Sequence, residues 1–250
     1  MMYPLSAQLR AGTQASHTLA ENTAFMKCFL QGRVVKSAFR QLLANLYFVY
    51  RTLEVEMLRH RADAIAGPLY FPELLRTANL EDDLAYYYGE NWRNQVVPAA
   101  AGEAYVARIR EVSLKNPALL VAHAYVRYMG DLSGGQGLKK IARAAMQLPS
   151  DRGTGLHEFA QIPTVEAQRA FKAKYRDVLD QLPLEADLAQ AIVDEANHAF
   201  WLNRNLLQSL TDQVRTAIGD RTFEQIMQQP QPGHTEPHPD PTSAVLVSAE

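Results

Sequence analysis

The sequence predicts an all-α fold, and two features of the amino-acid pattern lead to this prediction. Apolar residues recur every three or four positions along nearly the whole body of the chain, as they do in amphipathic helices. No window alternates apolar and polar residues over a stretch long enough to indicate a strand. Since 47% of the 250 residues are hydrophobic and 21% are charged, the chain can bury one sizeable core, which excludes disordered, collagen-like and disulfide-stabilised classes.

Individual helices can be placed from the apolar spacing and from residues that favour helix starts. Ser37 is a candidate N-cap, and the run after it predicts one long amphipathic helix. The apolar positions of this run are Phe39, Leu42, Leu43, Leu46, Tyr50, Leu53 and Met57. A second helix is expected to begin at Asn116 and Pro117, with asparagine as the cap and proline at the first helical position. Prolines and glycines between such runs predict about six to eight helices in all.

The chain divides into a body and a tail. No internal repeat and no linker interrupts residues 1–229, so we expect a single helical domain there. Residues 230–250 contain five prolines and begin with a polar stretch. Such a segment cannot bury enough apolar surface to offset the entropy of ordering it, and we expect it to be flexible.

Net charge and cysteine content narrow the classes of partner and compartment. With 25 Lys and Arg residues against 27 Asp and Glu residues, the chain has no bulk charge that would attract nucleic acid or an anionic membrane. Cys28 is the only cysteine and cannot form an internal disulfide, which fits a reducing compartment. No segment approaches the roughly 18 to 20 apolar residues of a membrane span, and the N-terminus lacks the apolar run of a signal peptide. We therefore expect a cytoplasmic protein without a membrane anchor.

Four glycines, Gly130, Gly134, Gly135 and Gly137, stand between helix-favouring residues. In a helix interior they would together cost roughly 3 to 4 kcal/mol relative to alanine, a large part of a domain's stability. At 100° per residue, Gly130, Gly134 and Gly137 fall within a stripe about 60° wide, so one side of the helix would present bare backbone to a flat ligand. The alternative is a plain turn between two helices, with Asp131 as an N-cap. The Walker A and G-x-G-x-x-G spacings do not match, which excludes those phosphate-binding loops.

Several motifs occur together in the order and spacing of one known family. They are HTLAEN at 17–22, LYFVY at 46–50, YFPELLR at 70–76, DLAYYYG at 83–89, AHAYVRYMGDLSGGQGLKKIA at 122–142, FKAKYR at 171–176 and DEANHAFWLN at 194–203. With these motifs the chain resembles the heme oxygenase family, and most closely the soluble, ferredoxin-dependent enzymes of cyanobacteria and plastids. GDLSGGQ is specific to that family, whereas HTLAEN alone would be a weak signal. The resemblance implies a mostly helical domain that holds heme between a proximal helix and a glycine-bent distal helix.

The resemblance also implies an activity and its partners. Members of the family open heme b, which is substrate and cofactor at once, to biliverdin and release iron and carbon monoxide. The reaction consumes O2 and electrons from ferredoxin or a similar donor, and a bilin reductase can use the product. Because ferredoxin is acidic, basic residues near the heme edge would speed its docking. The candidates form two clusters, Lys139, Lys140 and Arg143, and Arg33, Lys36 and Arg40.

On the proximal side, the resemblance assigns His17 as the axial ligand of the iron, a role that suits neutral imidazole. Glu21, one turn later, matches a carboxylate that accepts the other ring N–H and fixes the tautomer. Considered without the resemblance, a single histidine on an amphipathic helix is more often an ordinary core or surface residue. The residues that match partners of the heme propionates are Arg10, Tyr125, Lys172 and Arg176. Many relatives have lysine in place of Arg10, and either cation can pair with a carboxylate.

On the distal side, the resemblance assigns Asp131 as the catalytic residue, which orders water molecules that deliver a proton during O2 activation. Arg127 and Tyr50 match other members of this polar network. Gly130 and Gly134 belong to the backbone that presses on the heme and directs attack to one meso carbon. The remaining expected heme contacts are Phe200 and Asn203.

Two other functions remain compatible with the residues. One is a heme-binding sensor or carrier without turnover, which the intact Asp131 and the glycine stripe disfavour. The other is a non-heme di-iron oxidase, because Glu195-x-x-His198 is the local signature of di-iron carboxylate bundles. Such bundles need a second Glu-x-x-His on a facing helix, and the sequence has none. Most of the other histidines of the body are expected to be structural: His60, His123 and His157.

Overall fold

Residues 4–229 are described by a computed structural model of the chain, and every regular element in that range is helical, which confirms the predicted all-α fold. The α-helices are α1 (Leu5–Gly12), α2 (Gln14–Glu21), α3 (Ala24–Leu30), α4 (Lys36–Arg59), α5 (Thr77–Tyr88), α6 (Ala100–Lys115), α7 (Leu120–Ala124), α8 (Gly130–Ser133), α9 (Gly135–Met146), α10 (Val165–Asp180), α11 (Ala186–Gln208), α12 (Thr211–Ile218) and α13 (Asp220–Gln228). Shorter 3-10 turns lie at Gly67–Leu69, Pro72–Leu74, Trp92–Asn94, Pro117–Leu119 and Gly155–His157. The expected tail at 230–250 falls outside the described residues. Within 4–229 no helix is both long and apolar enough to cross a membrane.

The helices are more numerous than expected because single residues divide some of the longer runs. Thr13 separates α1 from α2, yet its N–H donates to the carbonyl oxygen of Leu9 (3.0 Å) and its carbonyl oxygen accepts the N–H of His17 (2.9 Å). The Thr13 hydroxyl also donates to the Leu9 carbonyl (2.7 Å), a bond that tends to bend helices. α1 and α2 therefore form one bent rod, the proximal rod. Gly134 divides α8 from α9 in a similar way.

Helix α4 is the long helix predicted from the apolar run. The prediction of Ser37 as its N-cap is wrong, because the extended backbone of a cap residue occurs at Val35 (φ −89°, ψ 117°) and the helix begins at Lys36. All of the predicted apolar positions are buried except Leu42, which is partly buried. α4 packs against α5 and α6 and so forms the centre of the core. Asn116 precedes a helical turn as expected, but its side chain makes no capping hydrogen bond.

Several helices obtain their N-terminal cap from another helix. The first N–H groups of a helix have no partner within it, and α1, α5 and α6 lack a cap of their own. Asn45 on α4 accepts the backbone N–H that precedes α6 (2.8 Å). Glu54 on α4 accepts the N–H and hydroxyl of Thr77 at the start of α5. Asp180 on α10 accepts the N–H and hydroxyl of Ser6 in α1 (both 2.8 Å). These bonds fix α5 and α6 to α4, and the proximal rod to α10.

A buried ion pair joins α6, α7 and α11. Glu195 is 4% exposed and accepts from Nε of Arg108 (3.0 Å) and from Nε2 of the fully buried His123 (3.0 Å). Burial alone would raise the pKa of Glu195, but hydrogen bonds from His123 and Arg108 lower it to about 2. Burial lowers the pKa of His123, so the imidazole donates to Glu195 as a neutral ring. His123 is structural, as predicted.

Replacing Glu195 with alanine is expected to lower the free energy of unfolding by about 3 kcal/mol, because the substitution leaves Arg108 and His123 without their shared partner. Urea denaturation at pH 7 measures this loss. The folded pKa of Glu195 lies below its ordinary value of 4.5, so its contribution is present above pH 4.5 and disappears as the pH falls toward 2. The difference between wild type and variant should shrink over that interval.

The matched control is Asp194→Ala, at an exposed position of the same helix, which should change the free energy of unfolding by less than about 0.5 kcal/mol. Equal losses in the two variants would contradict the role given to the ion pair.

Candidate active site

The glycine run presents bare backbone on one side of the distal segment, which we define as α8 and α9. A Cβ atom added to Gly130 or Gly137 would meet no atom within 4 Å, and one added to Gly134 would approach only the carbonyl oxygen of Gly130, at 3.7 Å. Gly135 differs, because its added Cβ would lie 2.8 Å from Nδ1 of His157. Three of the four glycines therefore form the predicted stripe, with room for a flat ligand, and the fourth packs against the protein.

The distal segment continues a helical path and is not a plain turn. A π turn at Tyr125–Met129 joins α7 to α8 and adds one residue to the helical register, a feature often found at functional sites. Asp131 lies inside α8 and caps no helix, so the alternative with Asp131 as an N-cap is wrong. Its side chain is instead directed into a buried polar network.

This network connects four of the predicted site residues. The Tyr50 hydroxyl donates to Oδ2 of Asp131. The same hydroxyl accepts from Nε of Arg127 (3.1 Å), and Nη1 of Arg127 donates to Oδ1 of Asn203 (2.5 Å). The four residues come from α4, α8, the π turn and α11, so the tertiary fold brings them together.

Burial controls the protonation of this network. Asp131 is 5% exposed, and burial raises the pKa of its carboxyl group, although the Arg127 charge and the Tyr50 hydrogen bond oppose the rise. Burial also raises the pKa of Tyr50 well above 10, so its hydroxyl stays protonated and can donate. Burial alone would lower the pKa of Arg127, but Tyr50 and Asp131 raise it and the guanidinium stays charged. Asp131 can therefore hold a proton at a higher pH than an exposed aspartate.

On the opposite side of the site, His17 stands on α2 with its side chain 42% exposed. Its Nδ1 lies 3.6 Å from Oε2 of Glu21, as the one-turn spacing predicts. The ring of Phe200 contacts it edge-on, with ring centroids 5.7 Å apart. The His17 ring makes no hydrogen bond within residues 4–229, so Nε2 is available to a ligand.

The proximal rod lies directly against α11. The Ser16 hydroxyl donates to Oδ1 of Asn197 (2.6 Å), and Nδ2 of Asn197 donates to the carbonyl oxygen of Gly12 (3.1 Å). A Cβ atom at Gly12 would lie 2.6 Å from Cγ1 of Val193, so only glycine permits this approach.

Helix α11 connects the two sides of the site. Phe200 contacts His17, and Asn203 binds Arg127. Residues three apart on a helix lie on the same face, so the proximal histidine and the distal network share one face of α11. The structure thus places His17 and the Asp131 network along one surface of α11.

A positive cluster is formed by the residues predicted to bind the heme propionates: Arg10, Tyr125, Lys172 and Arg176. Burial raises the pKa of Tyr125, and the nearby charges of Arg176 and Arg10 oppose the rise. Lys172 is one turn from Arg176, and burial together with the Arg176 charge lowers the pKa of Lys172. In the part of the chain that the structure describes, no carboxylate lies within 4 Å of a nitrogen of Arg10, Lys172 or Arg176. The cluster is suited to a carboxylate supplied by a ligand.

Two buried residues beside the network, Arg76 and Tyr105, were not predicted. Arg76 is 3% exposed, its Nε donates to the carbonyl oxygen of Leu74 (2.9 Å), and its charge also opposes the pKa rise of Asp131. Burial raises the pKa of Tyr105 to about 12, and its hydroxyl, near Arg127, has no hydrogen-bond partner among residues 4–229. Helical periodicity gives no signal for Arg76, because it does not distinguish a buried arginine from an exposed one.

The Glu195-x-x-His198 motif does not form a metal site. Glu195 is occupied by Arg108 and His123, whereas His198 is exposed and its ring packs edge-on against Trp201. Within residues 4–229, no three His, Cys, Asp or Glu side chains are placed to hold a metal ion together.

The two basic clusters are partly engaged in contacts within the chain. Lys139 and Arg143 form ion pairs with Glu158, at 2.8 Å and 3.0 Å. In the earlier cluster, two of the three cations lie over tyrosine rings. Lys140 is exposed and forms no ion pair with any residue that the structure describes.

Relatives with known names match nearly the whole body of the chain. A family model described as heme oxygenase matches residues 3–209. Heme oxygenase 2 of Synechocystis sp. PCC 6803 is 51% identical over 235 residues, which cover 94% of each chain. Heme oxygenase 1 of Nostoc sp. PCC 7120 is 49% identical over 93% of this chain and 96% of its own.

Solved structures agree with this match. The structure of heme oxygenase-2 from Synechocystis sp. PCC 6803 in complex with heme and NO has a TM-score of 0.92 at 51% identity, and the match covers 95% of this chain and 98% of that one. Heme oxygenase-1 from the same organism in complex with heme has a TM-score of 0.84 at 49% identity, and the match covers 90% and 100% of the two chains. Because the match includes both sides of the site at about half identity, this chain belongs to the heme oxygenase family.

Proposed function

We propose that the residues described above carry out the heme oxygenase reaction, in which heme is opened to biliverdin with O2 and electrons as co-reactants and with release of iron and carbon monoxide. The observation that supports this assignment is the placement of a buried carboxyl group, Asp131, one residue from the bare backbone of Gly130. Heme is both substrate and cofactor, and when bound it supplies the iron at which O2 is activated.

The site fits a flat, dianionic ligand. The glycine stripe offers a surface without side chains, and the positive cluster offers partners for two carboxylates. We assign Arg10, Tyr125, Lys172 and Arg176 to the propionates. Gly130, Gly134 and Phe200 would then contact the macrocycle, and Asn203 would support Arg127 behind it.

We assign His17 to the iron. The His17 imidazole, with Nδ1 3.6 Å from Oε2 of Glu21, presents Nε2 as a ligand, and a carboxylate in this position can fix the tautomer and orientation of the ring. The partly exposed ring on α2 faces the same surface of α11 as the distal network, which allows heme to lie between them.

We assign Asp131 to proton delivery during O2 activation. Burial raises the pKa of the carboxyl group above that of an exposed aspartate, which favours proton transfer at this position, and the Tyr50 hydrogen bond fixes the orientation of the group. Arg127 holds Tyr50 in place and keeps one buried positive charge beside the carboxyl group.

We further propose that ferredoxin donates the electrons, that a bilin reductase uses the biliverdin, and that the protein acts in the cytoplasm as a single domain at 1–229. The cyanobacterial relatives and the sequence resemblance support ferredoxin. The buried thiol of Cys28 fits a reducing compartment.

The function can be tested by mixing the protein with hemin, ferredoxin, ferredoxin reductase and NADPH under air. The Soret band and the biliverdin absorbance are then followed over time. Wild type should bind hemin and convert it to biliverdin. Asp131→Ala should bind hemin comparably but form biliverdin at least about 100-fold more slowly, because it lacks the positioned proton donor. A stable Soret band in wild type would indicate a carrier, and unchanged turnover in Asp131→Ala would exclude the proposed role.

Removing two cations of the positive cluster should weaken hemin binding. Lys172→Ala combined with Arg176→Ala is expected to raise the hemin dissociation constant at least about tenfold, since charge-assisted hydrogen bonds contribute roughly 1.5 to 3 kcal/mol. Hemin dimethyl ester, which has no carboxylates, should bind wild type and variant alike.

Lys174→Ala is the matched control, because this exposed lysine on the same helix lies over the Phe71 ring and near Glu73. Equal weakening for hemin and its diester would show that the two cations act on the fold and not on the propionates.

Charge reversal at Lys140 tests the docking of ferredoxin. Lys140→Glu should reduce ferredoxin-driven turnover several-fold at low ionic strength and little at about 0.5 M salt, because exposed charges are screened. Turnover driven by ascorbate should not change. If ferredoxin-driven turnover at low salt is unaffected, Lys140 is not part of the docking surface.

A further inference from the structure

The imidazole of His157 lies against the backbone of the distal segment. Nδ1 of His157 is 2.8 Å from the position that a Cβ atom of Gly135 would occupy, and the ring is buried at 6% exposure. We propose that His157 is a positioning residue whose ring, wedged against Gly135, sets how far the glycine stripe projects toward the ligand. The heme side of this inference rests on the proposed function. His157 belongs to residues 153–159, which we name the strap.

The strap is fixed to α5. The carboxylate of Asp83 accepts the backbone N–H groups of Gly155 (2.8 Å) and Leu156 (2.9 Å), which begin the 3-10 turn that carries His157. The Tyr87 hydroxyl donates to the carbonyl oxygen of Gly153 (2.8 Å). Asp83 and Tyr87 are one turn apart and both are buried, so this side of the strap is anchored in the core.

The strap is also fixed to α9. Nε2 of Gln136 donates to the carbonyl oxygen of His157 (2.8 Å), and Lys139 and Arg143 pair with Glu158 (2.8 Å and 3.0 Å). These bonds pull α9 toward the strap, whereas the imidazole limits how closely the helix can approach. Two opposing effects therefore set the position of the distal segment. The polar bonds draw α9 toward the strap, and the His157 ring in contact with Gly135 limits this approach.

His157 acts through its shape and not through its charge. Burial lowers the pKa of His157 to about 3, and the charges of Lys139, Arg127 and Arg76 contribute to the shift, so the ring is neutral in the physiological range. Its Nδ1 is buried and has no hydrogen-bond partner within residues 4–229. A buried nitrogen without a partner reduces stability, so the ring is not placed here for a polar bond.

A double-mutant cycle between positions 135 and 157 tests the contact. His157→Ala removes the ring that lies against Gly135, and Gly135→Ala adds a methyl group that collides with this ring. In the double variant, the added methyl group fills part of the space that the ring has left. We expect each single variant to increase amide hydrogen exchange in α8 and α9 of the heme-free chain about tenfold, and the double variant to return within about twofold of wild type. Hemin dissociation rates should follow the same order.

His157→Asn is the conservative variant, because its amide places an atom near the position of Nδ1, and amide exchange in α8 and α9 should stay close to wild type. His157→Ser, which also lacks the ring, replaces His157→Ala in the cycle if the alanine variant does not fold. The proposal is overturned if the single effects add in the double variant, or if truncating His157 to alanine or serine leaves amide exchange in α8 and α9 unchanged.

Gly137→Ala separates this proposal from the proposed function. Its methyl group would meet no protein atom and alanine favours a helix over glycine, so amide exchange in the heme-free chain should stay at or below the wild-type rate. Hemin binding should weaken, because the methyl group projects from the stripe. If Gly137→Ala binds hemin as wild type does, the stripe does not face heme and that part of the proposed function fails. The exchange cycle at positions 135 and 157 still decides the role of His157, because it is measured without heme.

Discussion

The buried guanidinium of Arg127 is the constraint on which the distal half of the molecule depends. A cation removed from water is tolerated only when its N–H groups are bonded and its charge is balanced. Here Tyr50 and Asn203 take the N–H groups, and Asp131 provides the negative charge through its bond to Tyr50. These partners come from α4, α11 and α8, so the charge is satisfied only when all three helices are in place. The interactions that orient the Asp131 carboxyl group are therefore also those that locate the helix carrying it.

Helix α11 extends this constraint to the rest of the site. Along its length it carries Glu195, which binds α6 and α7, then Phe200 against the proximal histidine, and then Asn203 on the distal arginine. One rigid helix thus sets the relation between the two sides of the site. The residues that we assign to the ligand are held by bonds that do not involve it, which is the preorganisation that catalysis requires.

The fold class and most of the site could be predicted, because helical periodicity and the order of motifs are local properties of the sequence. The 100° step per residue was enough to place three glycines on one open stripe. It could not show that Gly135 packs on His157, which lies 22 positions later and reaches α9 only through the tertiary fold. Neither the break in the helix at Thr13 nor the burial of Arg76 could be predicted from the sequence. Each depends on hydrogen bonds that the residue type alone does not specify.

The hydrogen bonds that cap the proximal rod join two parts of the chain that are synthesised at different times. Ser6 and Asp180 are separated by 174 positions, and the surface that receives the rod lies further on, in α11. The proximal rod thus leaves the ribosome well before its cap and its packing surface do. A nascent chain carries the histidine long before it has a pocket around it. A ligand held between the proximal rod and α11 consequently cannot guide folding before α11 has been synthesised.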